Sequence, residues 1–572
     1  MTFFELAQFL ARLEATSSRL QITQILAELF AKTNQEEIDK VCYLTQGCLA
    51  PSYEGLEFNL AEKLLIRAVA RAADTTETEV KKLYQQKGDL GDVVKELRIK
   101  SRRSGIKLTE VYGLLRRIAR ESGEGSVERK IDLMADLLRR LDSLSAKYVA
   151  RIPLGKLRLG FSELTILDAL SWLMSGDKRH REEIERAYEV RADIGAIAKL
   201  VKTSGLQGLK TIEPEVGVPI LSALCQRLPA FEEMIEKMGE VAVEPKYDGS
   251  RVQIHYRRKL PILRIFTRNL ENVTHMYPDL VRAVKGEIKA DEVILDGEAV
   301  GFDPRTDRIL PFQETIKRKR KYEIALFSQS IPLKCFVFDI LVYNGRNMMT
   351  RPLNERRKIL ERVVLGGTLV LTPQIVTQKI DELKRFYDRQ IARGLEGVVA
   401  KKWDSVYDPG RRGFNWVKLK SETSKKGAGL ADTLDCAVMG LYRGKGKRTG
   451  FGVGAFLVGV RRSENIDNFL SVSKIGTGLT DEQFRELKAR SEQLIANSKQ
   501  SSYQVDKNLE PDVWLKPGLV VEIQADNITV SPIHTAGYAL RFPRLVRFRD
   551  DKKASQATTL AELKKLYQLQ KR

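Results

Sequence analysis

Apolar and polar positions along this chain change their period twice. From Met1 to about residue 215, apolar residues recur at three- and four-residue spacing, the mark of amphipathic helices. The opening MTFFELAQFLARLE predicts a first helix. Ile131, Met134, Leu138 and Leu141, with Tyr148 beyond, keep one helical face, and Gly123-Glu124-Gly125-Ser126 breaks the chain before them. From about residue 220 to 422, short β-like runs (Ile262 to Phe266, Val293 to Leu295, Phe336 to Val342, Val398 to Lys401) alternate with helical stretches such as Lys379 to Arg393. This is an α/β (α+β) pattern. Beyond it come the short strands Cys436 to Tyr442, Phe451 to Val460, Phe469 to Lys474 and Val520 to Gln524, which predict a small β-barrel, then a terminal helix over Ala557 to Tyr567. The expected organisation is multidomain: an all-α domain over 1–218, an α/β core over 219–422 and a β-barrel domain over 423–572. Glu213 to Pro219 marks the first junction, and the small polar stretch Ser421 to Gly429 reads as a hinge at the second.

Size and charge agree with this division. A chain of 572 residues exceeds one hydrophobic core. Its net charge of +22 attracts polyanions, nucleic acid foremost. The five cysteines (Cys42, Cys48, Cys225, Cys335, Cys436) form no CxxC pair, so neither a zinc site nor a disulfide framework is indicated. The reading is a reduced, cytoplasmic protein with no signal peptide and no run of membrane length. The four histidines (His180, His255, His275, His534) are dispersed, and none is assigned to catalysis. Arg443 to Gly450 misses the GxxxxGK[ST] spacing of a phosphate-binding loop and reads as a basic hairpin tip.

The chemistry centres on Lys246. It lies in Glu244-Pro-Lys-Tyr-Asp-Gly-Ser-Arg251, with Val241 and Val243 before it and Val252, Ile254 and Tyr256 after it. The alternation predicts a strand, a tight turn at Asp248-Gly249 and a returning strand. An amine held at such a turn is suited to attack phosphorus or a carbonyl carbon.

The segment EPKYDGSR resembles the nucleotidyl-lysine motif of the covalent nucleotidyltransferases, a superfamily of DNA ligases, RNA ligases and capping enzymes. Further segments resemble that superfamily's motifs in order: Phe266 to Asn269, Leu295 to Val300, Phe336 to Leu341 with Tyr343-Asn344-Gly345, Glu396 to Lys401, Trp416 to Lys420, and Ala539 to Arg544. Ile152 to Gly160 and Ser531 to Gly537 are similar to archaeal-type ATP-dependent DNA ligases in particular, and the likeness spans nearly the whole chain.

The resemblance implies a helical DNA-binding domain, a nucleotidyltransferase core and a C-terminal OB-fold. It implies that Lys246 is the nucleophile, that Glu244 lies near adenine, that Arg251 and Arg268 hold ribose or phosphate, and that Phe338 stacks on the base. Glu298 falls near ribose and metal, Arg412 on the nucleotide, and Lys418 and Lys420, alternating on one strand face, at the α-phosphate. Glu396, with Glu298, is a metal ligand, and hard oxygen donors beside a polyphosphate imply Mg²⁺. Arg541 reaches the pyrophosphate of ATP when the last domain closes. The implied activity is nick sealing in duplex DNA by a monomer, with ATP as co-substrate. An RNA ligase, another lysine nucleotidyltransferase and a non-catalytic DNA-binding protein stay open as alternatives. In one place the chain departs from the family. Many archaeal-type ligases carry a QxxFF-like clamp-binding segment where this chain reads Lys100 to Glu110 without the aromatic pair, which leaves a sliding-clamp partner open.

Overall fold

A computed structural model of the chain describes residues 1–97, 99, 105–155, 157–228, 230–306, 308–318, 324–420, 433–444, 451–463 and 466–569. The hinge stretch Ser421 to Gly429, the tip of the basic loop ending at Gly450 and residues 100–104 lie outside them. The chain divides into two compact units, Met1–Glu77 with Val94–Lys420 and Thr78–Val93 with Ser421–Arg572.

The N-terminal region is helical from Phe3–Glu14 through Ile194–Lys210. Its first helix starts at a capping box, in which the Thr2 hydroxyl accepts from the Glu5 amide and the Thr2 amide donates to the Glu5 carboxylate. Leu108–Arg120 shows the burial rule plainly. Val111, Tyr112, Leu115 and Ile118 face inward, while Arg117 and Arg120 stay outside. The predicted face from Ile131 to Tyr148 is split over two helices, Ser126–Arg140 and Ser143–Arg151. Asp142 ends the periodicity by accepting from the amides of Leu144 and Ser145 as the N-cap of the second helix.

The central region carries twelve strands among the described residues: β1 (Leu224–Arg227), β2 (Val241–Pro245), β3 (Ser250–Arg257), β4 (Ile262–Thr267), β5 (Glu292–Asp303), β6 (Arg308–Ile309), β7 (Leu333–Tyr343), β8 (Arg346–Asn347), β9 (Leu369–Leu371), β10 (Ile375–Thr377), β11 (Gly397–Lys402) and β12 (Arg412–Lys420). They form two sheets. One has the order β1-β12-β11-β2-β10 and the other β4-β3-β5-β7-β8, with β6 on β5 and β9 on β7. Each sheet is backed by helices. Val243, Val398, Ala400, Val417 and Leu419 of the first pack with Met234, Leu383 and Phe386. Val252, Ile254, Leu295 and Val337 of the second pack with Leu280, Val284 and Leu360. A third cluster joins the sheets to each other through Ile294, Leu341 and Trp416, together with Val216, Ile220 and Ala223 of the segment that leads in from the helices.

That segment is pinned to β3. The Gly217 amide donates to His255 Nδ1 at 3.0 Å, and the Ile220 backbone exchanges two hydrogen bonds with the Gln253 side-chain amide, at 2.9 and 3.2 Å. The helical region also docks directly: Arg411 donates to the buried Glu189 carboxylate at 3.1 Å, and the Leu221 amide donates to the Glu189 carbonyl. Burial pushes the Glu189 carboxyl up to about 7 despite Arg411.

The second unit is rich in strands: β13 (Leu434–Arg443), β14 (Val453–Ser463), β15 (Ile466–Ile475), β16 (Ile495–Ala496), β17 (Tyr503–Gln504), β18 (Val513–Leu515), β19 (Val520–Gln524), β20 (Asn527–Val530), β21 (Tyr538–Arg541) and β22 (Arg544–Phe548). The main sheet runs β16-β18-β13-β14-β15-β17, β19 bridges β13 to β22, and β20 and β21 form a separate hairpin. Val458, Val472, Val521, Leu540 and Leu563 share its core.

Candidate active site

Period-two alternation builds the cleft between the central sheets. On β2, β11 and β12 the residues Val241, Val243, Val398, Ala400, Val417 and Leu419 point into the helix-backed core. Their neighbours Glu244, Val399, Lys401, Trp416 and Lys418 therefore turn to the other face, where they line a cavity of about 460 Å³. From the opposite sheet come Arg251, Glu298 and Phe338. The volume lies within the range of small-molecule sites.

Lys246 enters this cavity in a way the local pattern does not show. The expected hairpin is not formed. β2 pairs with β10 and β11, and β3 with β4 and β5. The turn at Tyr247-Asp248-Gly249 thus carries the chain from one sheet to the other, which leaves the lysine at their crossing. Alternation within a strand reports which face is buried, not which strand is its neighbour. Two glycines make the crossing possible. A Cβ on Gly249 would meet the Ala299 carbonyl oxygen at 2.6 Å. Gly397 has φ +141°, a Cβ there would run into the Leu419 carbonyl oxygen, and its own carbonyl accepts the Lys246 amide at 2.9 Å.

The Lys246 ammonium is ion-paired with Glu396 Oε2, and Lys420 holds Glu396 Oε1 at 3.1 Å. Burial opposes the charge on Glu396, but Lys246 and Lys420 outweigh it and hold the carboxyl below its ordinary value. Across the cleft, burial pushes the Glu298 carboxyl up to about 7, against the pull of Arg251 and Lys246. Lys418 is pushed below the ordinary lysine value by burial, with Lys246 and Lys420 adding to it.

Of the residues singled out in the sequence, the cavity brings together Glu244, Lys246, Arg251, Arg268, Glu298, Phe338, Arg412 and Lys418. Glu396 and Lys420 join through the ion pairs with and beside Lys246. Arg268 and Arg412 are exposed. Arg251 is more committed than its motif suggests: it donates to both oxygens of the buried Asp296, at 3.0 and 2.6 Å, and to the Ala223 carbonyl at 2.7 Å. Arg541 ends β21 in the second unit and is exposed there.

Sequence reasoning missed a second group. Lys401 pairs with Glu244 at 2.8 Å, and its ammonium lies 4.3 Å from the ring centres of both Phe338 and Trp416. Tyr407 donates to Asp296 at 2.8 Å and accepts from the Ala223 amide. Thr372, just after β9, is buried and also lines the cavity. The available signal was a charged residue ending the apolar run Val398-Val399-Ala400, on the face shared with Glu244 once β11 pairs with β2.

A helical N-terminal region, a two-sheet core with a lysine at the sheet crossing and a strand-rich C-terminal unit together define the architecture of a multidomain nucleotidyltransferase. Comparison with known proteins narrows the class. A family model described as "ATP dependent DNA ligase domain" matches residues 222–420, "DNA ligase N terminus" matches 2–171, and "ATP dependent DNA ligase C terminal region" matches 449–552. The chain is 43% identical over 583 residues to a "Probable DNA ligase" of Dictyoglomus turgidum and 40% identical over 596 residues to a "DNA ligase" of Saccharolobus solfataricus; each alignment covers 100% of this chain and 98% of the relative. A solved structure described as Pmar-Lig_Pre shares the fold at a TM-score of 0.51 and 16% identity, over 95% of this chain and 99% of that one. The chain belongs to the ATP-dependent DNA ligase family and is an enzyme of that class. Among the described residues, no helix is long and apolar enough to cross a membrane.

Proposed function

We propose that this ligase seals nicks in duplex DNA through three displacements at phosphorus, with Lys246 as the covalent relay. The Lys246 amine, once it has lost a proton, attacks the α-phosphorus of ATP; a P–N bond forms and pyrophosphate leaves. The 5′-phosphate of the nick then takes the AMP and frees the lysine. The 3′-hydroxyl finally attacks the activated phosphate, closing the backbone and releasing AMP. Each step gathers negative charge on the transferring phosphoryl group, so fixed cations are the main aid. The observation that carries this reading is Lys246 at the sheet crossing, in the same cavity as Lys418 and joined through Glu396 to Lys420.

The remaining roles follow from placement. Phe338 offers a ring for the base, Glu244 an acceptor at the closed end, and Arg268 and Arg412 exposed cations at the rim for ribose or phosphate. Arg251, tied to Asp296, presents its guanidinium as a fixed wall. Arg541 is assigned to the pyrophosphate in the first step. The donor set fits Mg²⁺: Glu298 lines the cavity and Glu396 lies beside Lys246, and both offer hard carboxylate oxygens. Mg²⁺ is commonly held by one or two carboxylates and the substrate's own phosphates. When bound, it would supply charge neutralisation at the phosphates.

We also assign residues 423–572 as an OB-fold, supported by the strand-rich sheet and the β20–β21 hairpin. The proposed domain limits are 1–218, 219–422 and 423–572. The enzyme is read as a cytoplasmic monomer acting on nicked DNA, with any sliding-clamp contact lacking the usual segment. The test is incubation with labelled ATP, denaturation and gel analysis, followed by addition of nicked duplex to the labelled protein. The expected result is an acid-labile protein label that chases into AMP as the nick closes. Labelling by NAD instead of ATP, or no covalent label, overturns the proposal.

A further inference from the structure

The rim of the cavity is tied to the helical region by groups that the three displacements do not use. Glu189, on the helix Arg181–Val190, is buried and receives the Arg411 guanidinium, whose Nε lies 3.3 Å from Oε1 and 3.1 Å from Oε2. Glu182 of the same helix adds a longer pairing to Arg411, at 3.6 Å. Backbone contacts flank the pair. The Glu189 carbonyl accepts the Leu221 amide at 2.9 Å, and the Arg411 carbonyl accepts the Leu224 amide at 3.1 Å. Gly410 turns the chain at φ +69°, and a Cβ there would meet Glu189 Cγ at 3.0 Å, so glycine lets the two segments come this close.

The place of this tie gives it a consequence. Arg411 immediately precedes β12, the strand that carries Arg412, Lys418 and Lys420. Arg412 pairs with Leu224 where β1 runs parallel to β12, and both line the cavity. Arg412 is exposed, so packing does not fix its side chain; its backbone sets where the guanidinium can reach. Glu189 holds the residue next to that backbone. The anchor itself is firm. Asp193, four residues on, accepts from the Tyr43 and Tyr53 hydroxyls at 2.6 and 2.9 Å and caps the helix Ile194–Lys210. The Tyr53 ring meets Phe266 edge-on at 6.2 Å, two residues before Arg268, the other rim arginine. Each rim arginine therefore adjoins a point where the helical region docks.

Resting on the assignment of Arg412 to the nucleotide above, we infer that Glu189 is a positioning residue for the first displacement: by holding Arg411, it fixes the start of β12 so that Arg412 meets incoming ATP. Glu189 itself touches no substrate. Its effect falls on ATP binding rather than on the attack, because Arg412 sits at the rim and Lys246 at the sheet crossing. Loss of an interaction that serves ground state and transition state alike raises KM and leaves kcat unchanged.

The experiment measures initial rates of covalent adenylation across ATP concentrations, with the full chain and without DNA, so that grip on a nick does not enter. It is run at pH 8, above the value of about 7 to which burial pushes the Glu189 carboxyl. Glu189→Gln keeps the shape and removes the charge. Its KM for ATP should rise about threefold to tenfold while kcat stays within about twofold. Arg412→Met should raise KM at least as far. The double variant should match Arg412→Met alone, because Glu189 then has nothing left to position. A merely structural role would lower kcat, or would add its own loss to that of Arg412→Met. Should Glu189→Gln fail to fold, Arg411→Gln unties the same pair from its more exposed side and is expected to behave alike. An unchanged KM in the folded variant, or losses that multiply in the double variant, overturns the inference and leaves the pocket reading intact. An unchanged KM in Arg412→Met overturns the assignment of Arg412, and the inference with it.

Discussion

The ammonium of Lys246 is ion-paired with the carboxylate of Glu396, and Glu396 in turn with Lys420. An amine held this way is positioned but not yet free to attack. Incoming phosphate oxygens offer Lys420 another partner, and a metal ion would compete for Glu396.

Substitution at the lysine gives the first prediction. Lys246→Ala lacks an amine, and Lys246→Arg presents a guanidinium that is not deprotonated in proteins. Both should yield no covalent AMP by label transfer from ATP, while retaining affinity for nicked duplex in a gel-shift titration. A normal yield of adenylate from Lys246→Ala would remove the central assignment.

The local pattern disclosed this site unevenly, and the reasons are physical. Lys418 and Lys420 were legible because β12 keeps strict alternation, so Val417 and Leu419 must be buried where the lysines are not. Helix ends were legible where a cap supplied them, as at Thr2. The apparent hairpin at Lys246 was misread because strand partnership depends on residues about 150 positions away in β11, which no local window contains. Asp296 could not be seen as the partner of Arg251, nor Lys401 as that of Glu244, for the same reason. Three-dimensional pairing turned two motif residues into ion pairs and assigned the remaining donors.

His255 supplies a pH prediction. Burial pushes its imidazole down to about 3 from an ordinary 6.5, with Arg264 adding to the effect. The folded protein keeps it neutral, with Nδ1 accepting from Gly217, while the unfolded chain takes up a proton below 6.5. The unfolded state then binds more protons, so the stability this group contributes is present above pH 6.5 and lost as pH falls towards 3. The slope is about 1.4 kcal/mol per pH unit. Urea midpoints at pH 7 and pH 5 should therefore diverge less in His255→Gln than in the wild type. Parallel losses in the two proteins would show that His255 is protonated equally in both states.

Arg541 separates the steps. Its assignment to the pyrophosphate confines it to the first displacement. Arg541→Ala should slow enzyme–AMP formation at least tenfold, on the order expected when a charge-stabilising group is removed, yet seal a pre-adenylated nick at close to the wild-type rate. Equal losses in the two assays would contradict the assignment.

The junction between the helical region and the core decides where a working truncation begins. Val216, Ile220 and Ala223 belong to the cluster that joins the two central sheets. Gly217 and Ile220 satisfy His255 and Gln253. A chain beginning at Thr211 keeps these interactions; one beginning at Leu221 leaves the buried His255 Nδ1 without its donor and the Gln253 Nε2 without its acceptor, and uncovers the apolar seam. The second should therefore be less stable by on the order of several kcal/mol. Both lack Glu189 and so free Arg411, the neighbour of Arg412 at the cavity rim. The Thr211 form should still make enzyme–AMP, because every cavity residue remains. It should grip nicked DNA weakly if the helical region supplies most of the cations that meet the phosphates. The log–log slope of affinity against salt should then flatten by roughly one unit for each DNA phosphate no longer neutralised. Nick affinities of the full chain and the Thr211 form at several salt concentrations settle the point. Should the two share affinity and slope, the arginines of the N-terminal helices are a solvated surface and the grip on DNA lies elsewhere in the chain.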